Sequence, residues 1–387
     1  MKRKRICFCT TISATIKAFL LDFAYYLVDN EGYDVTFICD TDESLFSYTN
    51  EHIHYCPIKM KRGFSIDGIS VIYQFYKIFK REKFDIVQYS TRNAATYGSI
   101  AAKLVGIKCR LYCQWGMMFI ALKGLKRALL KWDEKLIVSL STVVESESYS
   151  MYEMAIKHGI YKPEKASVIW NGSACGVNIN NYDLSKREIW KKEVRAKYNI
   201  PEDGVVFGWC GRITRDKGHN ELFEAFRELN NVNKNARLLM VGPYDNVETI
   251  NPEIFKWAQK CKEVIFTGPV PASLVPEMYS AMDLFCSLSY REGFGLVVIE
   301  AAAMQVPGIV SDALGQRDTI VHMKTGYSVA TYSVNDVVQA MKYFLDNPEK
   351  IVEMGANARR DVEEKYEQKE LFKRLAAHRN QLILESY

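Results

Sequence analysis

Apolar residues along this chain come in short bursts separated by longer amphipathic stretches. RICFCT, DVTFIC, HIHYCPI, DIVQYS, CRLYCQ, LIVSLS and ASVIW read as strands. Between them, Thr15–Asn30, Gly68–Lys83, Asn93–Val105 and Ser146–His158 repeat their apolar positions with a helical period. Strands alternating with helices predict a parallel sheet covered on both faces. A polar, lysine-rich stretch from Asn178 to about Asp203, broken by IPEDG, reads as a linker. The pattern then restarts. VVFGWCG, RLLMVG, VIFTG, LFCSL, GIVS and YSVA alternate with helices predicted over Asn220–Asn230, Pro252–Lys262, Ser273–Ala281 and Leu296–Met304. This predicts a second doubly wound sheet. From Ser333 to Tyr387 the chain reads as consecutive helices.

The expected fold class is therefore α/β, with two Rossmann-like domains and a helical C-terminal tail. The boundaries are drawn at 1–183, 184–365 and 366–387, the last segment being a helix that returns to the first domain. A length of 387 residues suits two such domains. Two open parallel sheets in tandem are expected to face a cleft, with ligands held in the loops after the strands.

Composition narrows the class. No run of about eighteen apolar residues occurs, so nothing in the sequence is expected to span a membrane. The basic start, MKRKRICFCTTISATIKAF, has too weak an apolar stretch for a secretory signal and reads as the first strand. Ten cysteines are scattered, several inside strand-like runs. They read as small buried hydrophobes of a reducing cytosol. No CxxC and no His at ligand spacing from a Cys suggests a zinc site. The net charge of +5 is unevenly placed. Residues 1–180 carry 24 Lys and Arg against 17 Asp and Glu, a surplus of 7, whereas residues 181–387 carry 27 against 29. A basic first half suits an anionic lipid surface, an acidic substrate or nucleic acid.

Two loops carry candidate chemistry. In GRITRDKGHNELFEAF, a strand ends at Gly211 and a helix starts near His219, with Arg212 and Lys217 between them. Two cations at a helix entrance outline a phosphate site, because free N–H groups and the helix dipole favour an anion there. In SYREGFGLVVIEAAA, Glu292 opens a glycine-bearing turn through Gly293, Phe294 and Gly295, and the next helix starts near Leu296. Glu300 lies about one turn into that helix, amid aliphatics and alanines. A carboxylate there needs partners, since burying it alone is costly.

Together these segments resemble the retaining glycosyltransferases of family four, which have the GT-B fold. That family carries two glutamates with seven residues between them and Gly-Phe-Gly after the first, as in E-GFGLVVI-E, and an Arg…Lys pair after the first strand of its second domain. Further similar stretches are Val168–Val177, Val241–Asp245, Phe266–Val270 and Gly308–Val329.

The resemblance implies a transferase moving a hexosyl or N-acetylhexosaminyl group from a nucleotide diphosphate sugar, UDP in preference to GDP. The acceptor would be a glycan or polyprenyl-linked glycan of cell-surface polysaccharide synthesis, of the capsule, lipopolysaccharide or exopolysaccharide type. Arg212 and Lys217 would bind the diphosphate and Glu300 the ribose hydroxyls. Glu292, with the backbone of Gly293 and Phe294, would hold the transferred sugar, and the N–H groups of Gly293, Phe294, Gly295 and Leu296 would point at an anionic group. Gly211, Gly242, Pro243 and Val270 would border the nucleotide. The donor is a substrate, and neither cofactor nor metal is expected. The chain would work in the cytoplasm, peripheral on an anionic membrane face, and would not bind nucleic acid. Ile58–Phe84 and Met117–Trp132 mix aromatic and aliphatic residues with Lys and Arg and are the candidate membrane segments, although helices packed on the sheet with lysines outward explain them equally.

The chain departs from the family in two places. TTISAT, Thr10–Thr15, stands where relatives have a Gly-Gly turn, and Trp115 of YCQWG stands where many have a histidine. Asp40-Thr41-Asp42 imitates a metal-binding Asp-x-Asp but reads as a solvated turn. A sugar-nucleotide epimerase of the same architecture and a catalytically silent nucleotide-sugar binder remain as alternatives. A nicotinamide oxidoreductase is excluded because no GxGxxG follows the first strand.

Overall fold

The computed structural model describes residues 3–60 and 67–386. Residues 61–66 of the candidate membrane segment Ile58–Phe84 lie outside the described residues. The chain divides into two compact units. One runs up to Cys175 and takes up the chain again from Lys369; the other spans Gly176–Gln368. The sequence-based boundaries were 183 and 365.

The first unit opens with β1 (Lys4–Cys9), α1 (Ser13–Phe19), α2 (Leu21–Glu31), β2 (Tyr33–Cys39) and β3 (Ile53–Pro57). Next come α3 (Gly68–Glu82), β4 (Ile86–Tyr89), α4 (Arg92–Val105) and β5 (Cys109–Gln114). It continues through α5 (Gly124–Leu140), β6 (Val143–Ser146), α6 (Tyr149–Lys157) and β7 (Ala166–Ser167). The strands form a parallel sheet in the order β3-β2-β1-β4-β5-β6-β7. Ile6, Cys7, Phe8 and Cys9 of β1 are all buried, as a central strand covered on both faces requires.

The second unit contains α7 (Arg187–Lys197), β8 (Val206–Cys210), α8 (His219–Val232), β9 (Arg237–Val241), α9 (Pro252–Lys260) and β10 (Val264–Gly268). It goes on with α10 (Val275–Ser280), β11 (Leu284–Ser287), α11 (Leu296–Ala303), β12 (Gly308–Ser311) and β13 (Gly326–Val329). Helices α12 (Val334–Asp346) and α13 (Pro348–Lys365) close it, and α14 (Gln368–Glu385) follows. The sheet order is β10-β9-β8-β11-β12-β13, all parallel. Both sheets reverse their winding beside their first strand, at β1/β4 and at β8/β11. Open α/β sheets hold ligands at such switch points.

Three expectations change. LIVSLS is not a strand. Leu136–Leu140 are the last turns of α5, and the Ser141 N–H closes on the Ile137 carbonyl at 3.0 Å. The strand is the following Val143–Ser146. A short apolar run fits either period, and here the preceding helical residues decide it. ASVIW contributes only Ala166–Ser167. The lysine-rich linker contains α7, anchored by the buried Arg195, which reaches Asp283 at 2.7 Å and three backbone carbonyls. The ten cysteines are all free.

Helix α14 packs in the first unit. The Arg379 guanidinium bonds Glu145 of β6 and Gln88 of β4. The Phe372 ring lies 5.2 Å from Phe23 of α2. Among the described residues no helix is long and apolar enough to cross a membrane.

Candidate functional site

The loops after β8 and β11 lie at the switch point of the second sheet and are bonded to each other. The Tyr290 N–H donates to the Asp216 carbonyl at 3.0 Å. Gly218, the residue before α8, has φ +77°, and a Cβ there would lie 2.1 Å from the Leu288 carbonyl oxygen. Only glycine lets the two loops approach this closely. His219 braces the first loop from beneath. Its Nδ1 lies 2.6 Å from the Thr214 carbonyl oxygen, and burial pushes its pKa down to about 4, so the ring is neutral.

This approach brings two predicted residues into contact. The Lys217 ammonium donates to Oε1 of Glu292, and both side chains are largely buried. Ser289 Oγ donates to the same oxygen at 2.7 Å. Arg212 is different. Its side chain is 54% exposed and pairs with Asp245, from the loop after β9. That loop is held against the first by Ile213 N–H to the Pro243 carbonyl at 2.9 Å and Asp245 N–H to the Ile213 carbonyl at 3.1 Å.

Glu300 sits on α11, which begins at Leu296. Its Oε2 accepts from the hydroxyl of the fully buried Tyr279 at 3.0 Å. Burial raises the carboxyl pKa, and the tyrosine hydrogen bond opposes that rise. The same carboxylate helps to hold the Cys210 thiol up at about 12, after burial as the main cause.

The glycine turn before α11 rests on the segment after β12. Gly315, at φ +79°, would place a Cβ 2.5 Å from the carbonyl oxygens of Glu292 and Gly293. Next to it, Gln316 is fully buried. Its amide donates to the Ser287 carbonyl at 2.7 Å and to Ser311 Oγ at 2.8 Å, and it accepts from Ser287 Oγ at 2.7 Å. Phe294 is buried, with its ring 5.3 Å from Tyr366. Gly295 precedes α11 in a left-handed conformation.

Of the residues expected to border a nucleotide, Gly211 and Gly242 touch each other. Their N–H groups bond the Val241 and Gly268 carbonyls at 2.8 and 3.0 Å, so these amides are already committed. Val270 lines a cavity of about 380 Å³ with Thr267 of β10, Pro269 just after it, Lys197 at the end of α7 and Tyr198 beyond it.

In the first unit, the hydroxyls after β1 are turned inward. Thr11 Oγ1 bonds Thr91 Oγ1 at 2.8 Å, and Thr10 Oγ1 donates to the Ile12 carbonyl at 3.0 Å. Trp115 is half-buried against Phe19, with 5.5 Å between ring centres. Asp42 caps the turn that follows it through Ser44 N–H and pairs with Lys17 at 3.0 Å. Asp40 accepts from the N–H groups of Thr41 and Met60.

Sequence reasoning reached Arg212, Lys217, Glu292 and Glu300. It missed Tyr279, Ser289 and Asp245 as their partners, and Gly315 and Gln316 as the residues on which the glycine turn rests. Of these, Gly315 and Gln316 stand in the segment GIVSDALGQRDTI, singled out above only for its family likeness.

Comparison with known proteins gives two family models in tandem. Residues 5–143 match "Glycosyl transferase 4-like", and residues 191–361 match "Glycosyl transferases group 1". Among relatives, the capsular polysaccharide biosynthesis glycosyltransferase CapM of Staphylococcus aureus is 26% identical, over 100% of this chain and 99% of the relative. The Escherichia coli UDP-Gal:alpha-D-GlcNAc-diphosphoundecaprenol alpha-1,3-galactosyltransferase is 24% identical, over 84% and 83%. Among solved structures, Anabaena HepE in complex with UDP and glucose superposes with a TM-score of 0.79 at 17% identity, over 98% of this chain and 100% of that one. Sucrose-phosphate synthase from Thermosynechococcus elongatus gives 0.81 at 19%, over 99% and 100%.

Proposed function

The chain belongs to the group 1 glycosyltransferases with a type 4-like N-terminal half and has the GT-B fold; from that premise we propose that it is a retaining transferase of cell-surface polysaccharide synthesis. The donor is a UDP-sugar, and the acceptor a glycan or a polyprenyl-linked glycan. The observation that carries this reading is the meeting of Lys217, Ser289 and Glu292 where the loops after β8 and β11 join, with Glu300 one helical turn beyond.

In this reading Arg212 grips the diphosphate with its forked guanidinium, and Lys217 adds a second cation. Glu300 accepts hydrogen bonds from the ribose hydroxyls. These replace solvation that burial removes from the carboxylate, and Tyr279 holds it in position. The nucleobase lies toward Gly242, Pro243 and Val270, beside the cavity after β10.

Glu292 and the backbone from Gly293 to Leu296 hold the sugar hydroxyls. As the anomeric C–O bond to the β-phosphate breaks, negative charge grows on that phosphate. Arg212, Lys217 and the α11 N-terminus stabilise it without a metal ion. The acceptor oxygen bonds the anomeric carbon on the face the phosphate leaves, and the acceptor proton passes to the departing phosphate.

A panel of nucleotide-sugars screened by thermal shift identifies the donor, since a ligand that binds only the folded state raises Tm. The expected result is stabilisation by one UDP-sugar and its slow hydrolysis to UDP in EDTA, with no epimerised sugar. Lys217→Ala is expected to lower turnover by about 10- to 100-fold, the worth of one charge-assisted hydrogen bond. Glu300→Ala is expected to weaken UDP binding by about tenfold or more. A Lys217→Ala enzyme with full turnover would refute the diphosphate assignment, and unchanged UDP affinity in Glu300→Ala would refute the ribose assignment.

A further inference from the structure

The carboxyl rim of the second sheet carries two tyrosines that the donor site leaves unused. Tyr332 follows β13 and Tyr290 follows β11, yet their rings meet with centres 4.2 Å apart, tilted by 39°. Tyr332 is 63% exposed, so the side of its ring away from Tyr290 is open to solvent.

The backbone of Tyr332 is unusual. Its φ is +68°, in the left-handed region where a bulky residue is strained and glycine is not. That strain is at least as large as the gain from one ring pair, so the pairing alone does not account for a tyrosine here. Burial does not account for it either, because most of the side chain lies in water.

Both rings are held still. The Tyr290 hydroxyl donates to Glu221, in the first turn of α8, at 2.7 Å, and the Tyr290 N–H donates to the Asp216 carbonyl. Thr331 donates to Asp312 Oδ1 through its N–H at 2.8 Å and through its hydroxyl at 2.6 Å. The Ala330 N–H donates to Asp336 of α12 at 3.1 Å, and the Ser333 N–H closes on the Ala330 carbonyl at 3.1 Å. A fixed aromatic plate with one open face loses little entropy when a ligand covers it.

The plate stands beside the proposed sugar site without belonging to it. Tyr290 is two residues before Glu292, and Asp216, which accepts its N–H, directly precedes Lys217. Glu292 turns to Lys217, whereas the Tyr290 hydroxyl turns to α8. A pyranose ring suits such a plate. Its face is a set of C–H groups, attracted to the negative face of an aromatic ring, and its hydroxyls point outward around the edge. Polar partners for those hydroxyls stand nearby, with Glu221 and Arg215 at the Tyr290 hydroxyl and Thr331 next to Tyr332.

We propose that Tyr332, backed by Tyr290, is a stacking subsite for a pyranose unit of the acceptor glycan, other than the unit that receives the transferred sugar. The glycan's role as acceptor rests on the function proposed above; the stacking does not.

Saturation-transfer NMR on the whole chain, with no donor present, tests it with maltotetraose, cellotetraose, chitotetraose and mannotetraose as probes. At least one is expected to receive saturation at its ring C–H protons. Tyr332→Gly is expected to weaken the Kd of that probe by about fivefold or more, and Tyr332→Phe to keep it within about twofold, since the ring and not the hydroxyl makes the contact. Tyr332→Gly also relieves the backbone, so Tm should not fall. If it melts early, Tyr332→Asn, which tolerates the left-handed conformation, takes its place. Wild type that gives no signal with any probe overturns the proposal. A folded Tyr332→Gly that binds undiminished, or a Tyr332→Phe that loses as much as Tyr332→Gly, does the same. So does a wild-type dimer that Tyr332→Gly dissolves, which would assign the plate to a second copy. Donor hydrolysis without any saccharide signal would sink the subsite and leave the proposed function. A saccharide signal lost in Tyr332→Gly, without hydrolysis of any UDP-sugar, would refute that function and leave Tyr332 as a saccharide site.

Discussion

Each predicted cation of the second unit rests on an acid. Lys217 lies on Glu292 in a largely buried pair, and Arg212 lies on Asp245 at the surface. The second pairing bears directly on donor binding, because an incoming diphosphate has to displace Asp245. An exposed ion pair is worth only about 0–1 kcal/mol, so the displacement costs little. Asp245→Asn is therefore expected to tighten UDP binding by up to about fivefold and to leave Tm nearly unchanged; calorimetric titration with UDP checks it.

Glu134 offers a different residue-scale prediction. Burial pushes its carboxyl up to about 7, against hydrogen bonds from Gln114 and Tyr112 that lower it; Asp133 also raises it and Arg92 lowers it. Between the ordinary 4.5 and about 7 the folded chain thus holds a proton that the unfolded chain has lost. Stability contributed by this group falls as pH rises through that window and stays low above it. Glu134→Gln keeps an oxygen for both donors and removes the charge. It is expected to raise Tm relative to wild type at pH 8 and to give no gain at pH 4.5, by melting across pH. Each pKa unit corresponds to about 1.4 kcal/mol. Glu292, Glu300, Arg212 and Lys217 were legible because they lie in two short loop–helix segments. Asp245 and Tyr279 were not, because they meet Arg212 and Glu300 only once distant strands stand side by side.

Among the elements, α5 shows where periodicity misleads. Its apolar positions are partitioned between an inner and an outer face, so the stretch has no clean amphipathic stripe, and its end, LIVSLS, imitates a strand. What sets the helix is the pair of acids facing inward to Arg92, Tyr112 and Gln114. Helix α14 obeys the same logic with the sign reversed. Burial acts to raise the pKa of Glu145, yet Arg379 and His378 hold it down to about 2. Removing one partner leaves a buried charge uncompensated, so Arg379→Ala is expected to cost about 3–5 kcal/mol in denaturant unfolding. Arg379→Met with Glu145→Leu should cost much less, since both charges then go.

For the whole molecule, two parallel sheets wound alike from their first strands were readable in the alternation of short apolar runs with helical stretches. The expectation that the last helix returns to the first domain did not say where it attaches. Nothing in the polar tail announces that α14 lays Arg379, His378 and Asn380 against strands and helices begun hundreds of residues earlier. That path has a consequence for biosynthesis. While the ribosome makes residues 176–368, the strands of the first sheet are already synthesised but Glu145 has no guanidinium, and the surface around Phe23 has no Phe372. The first unit made is the last one finished, and a chain released before Arg379 leaves the Glu145 carboxylate, on the strand next to the edge of its N-terminal sheet, without its guanidinium.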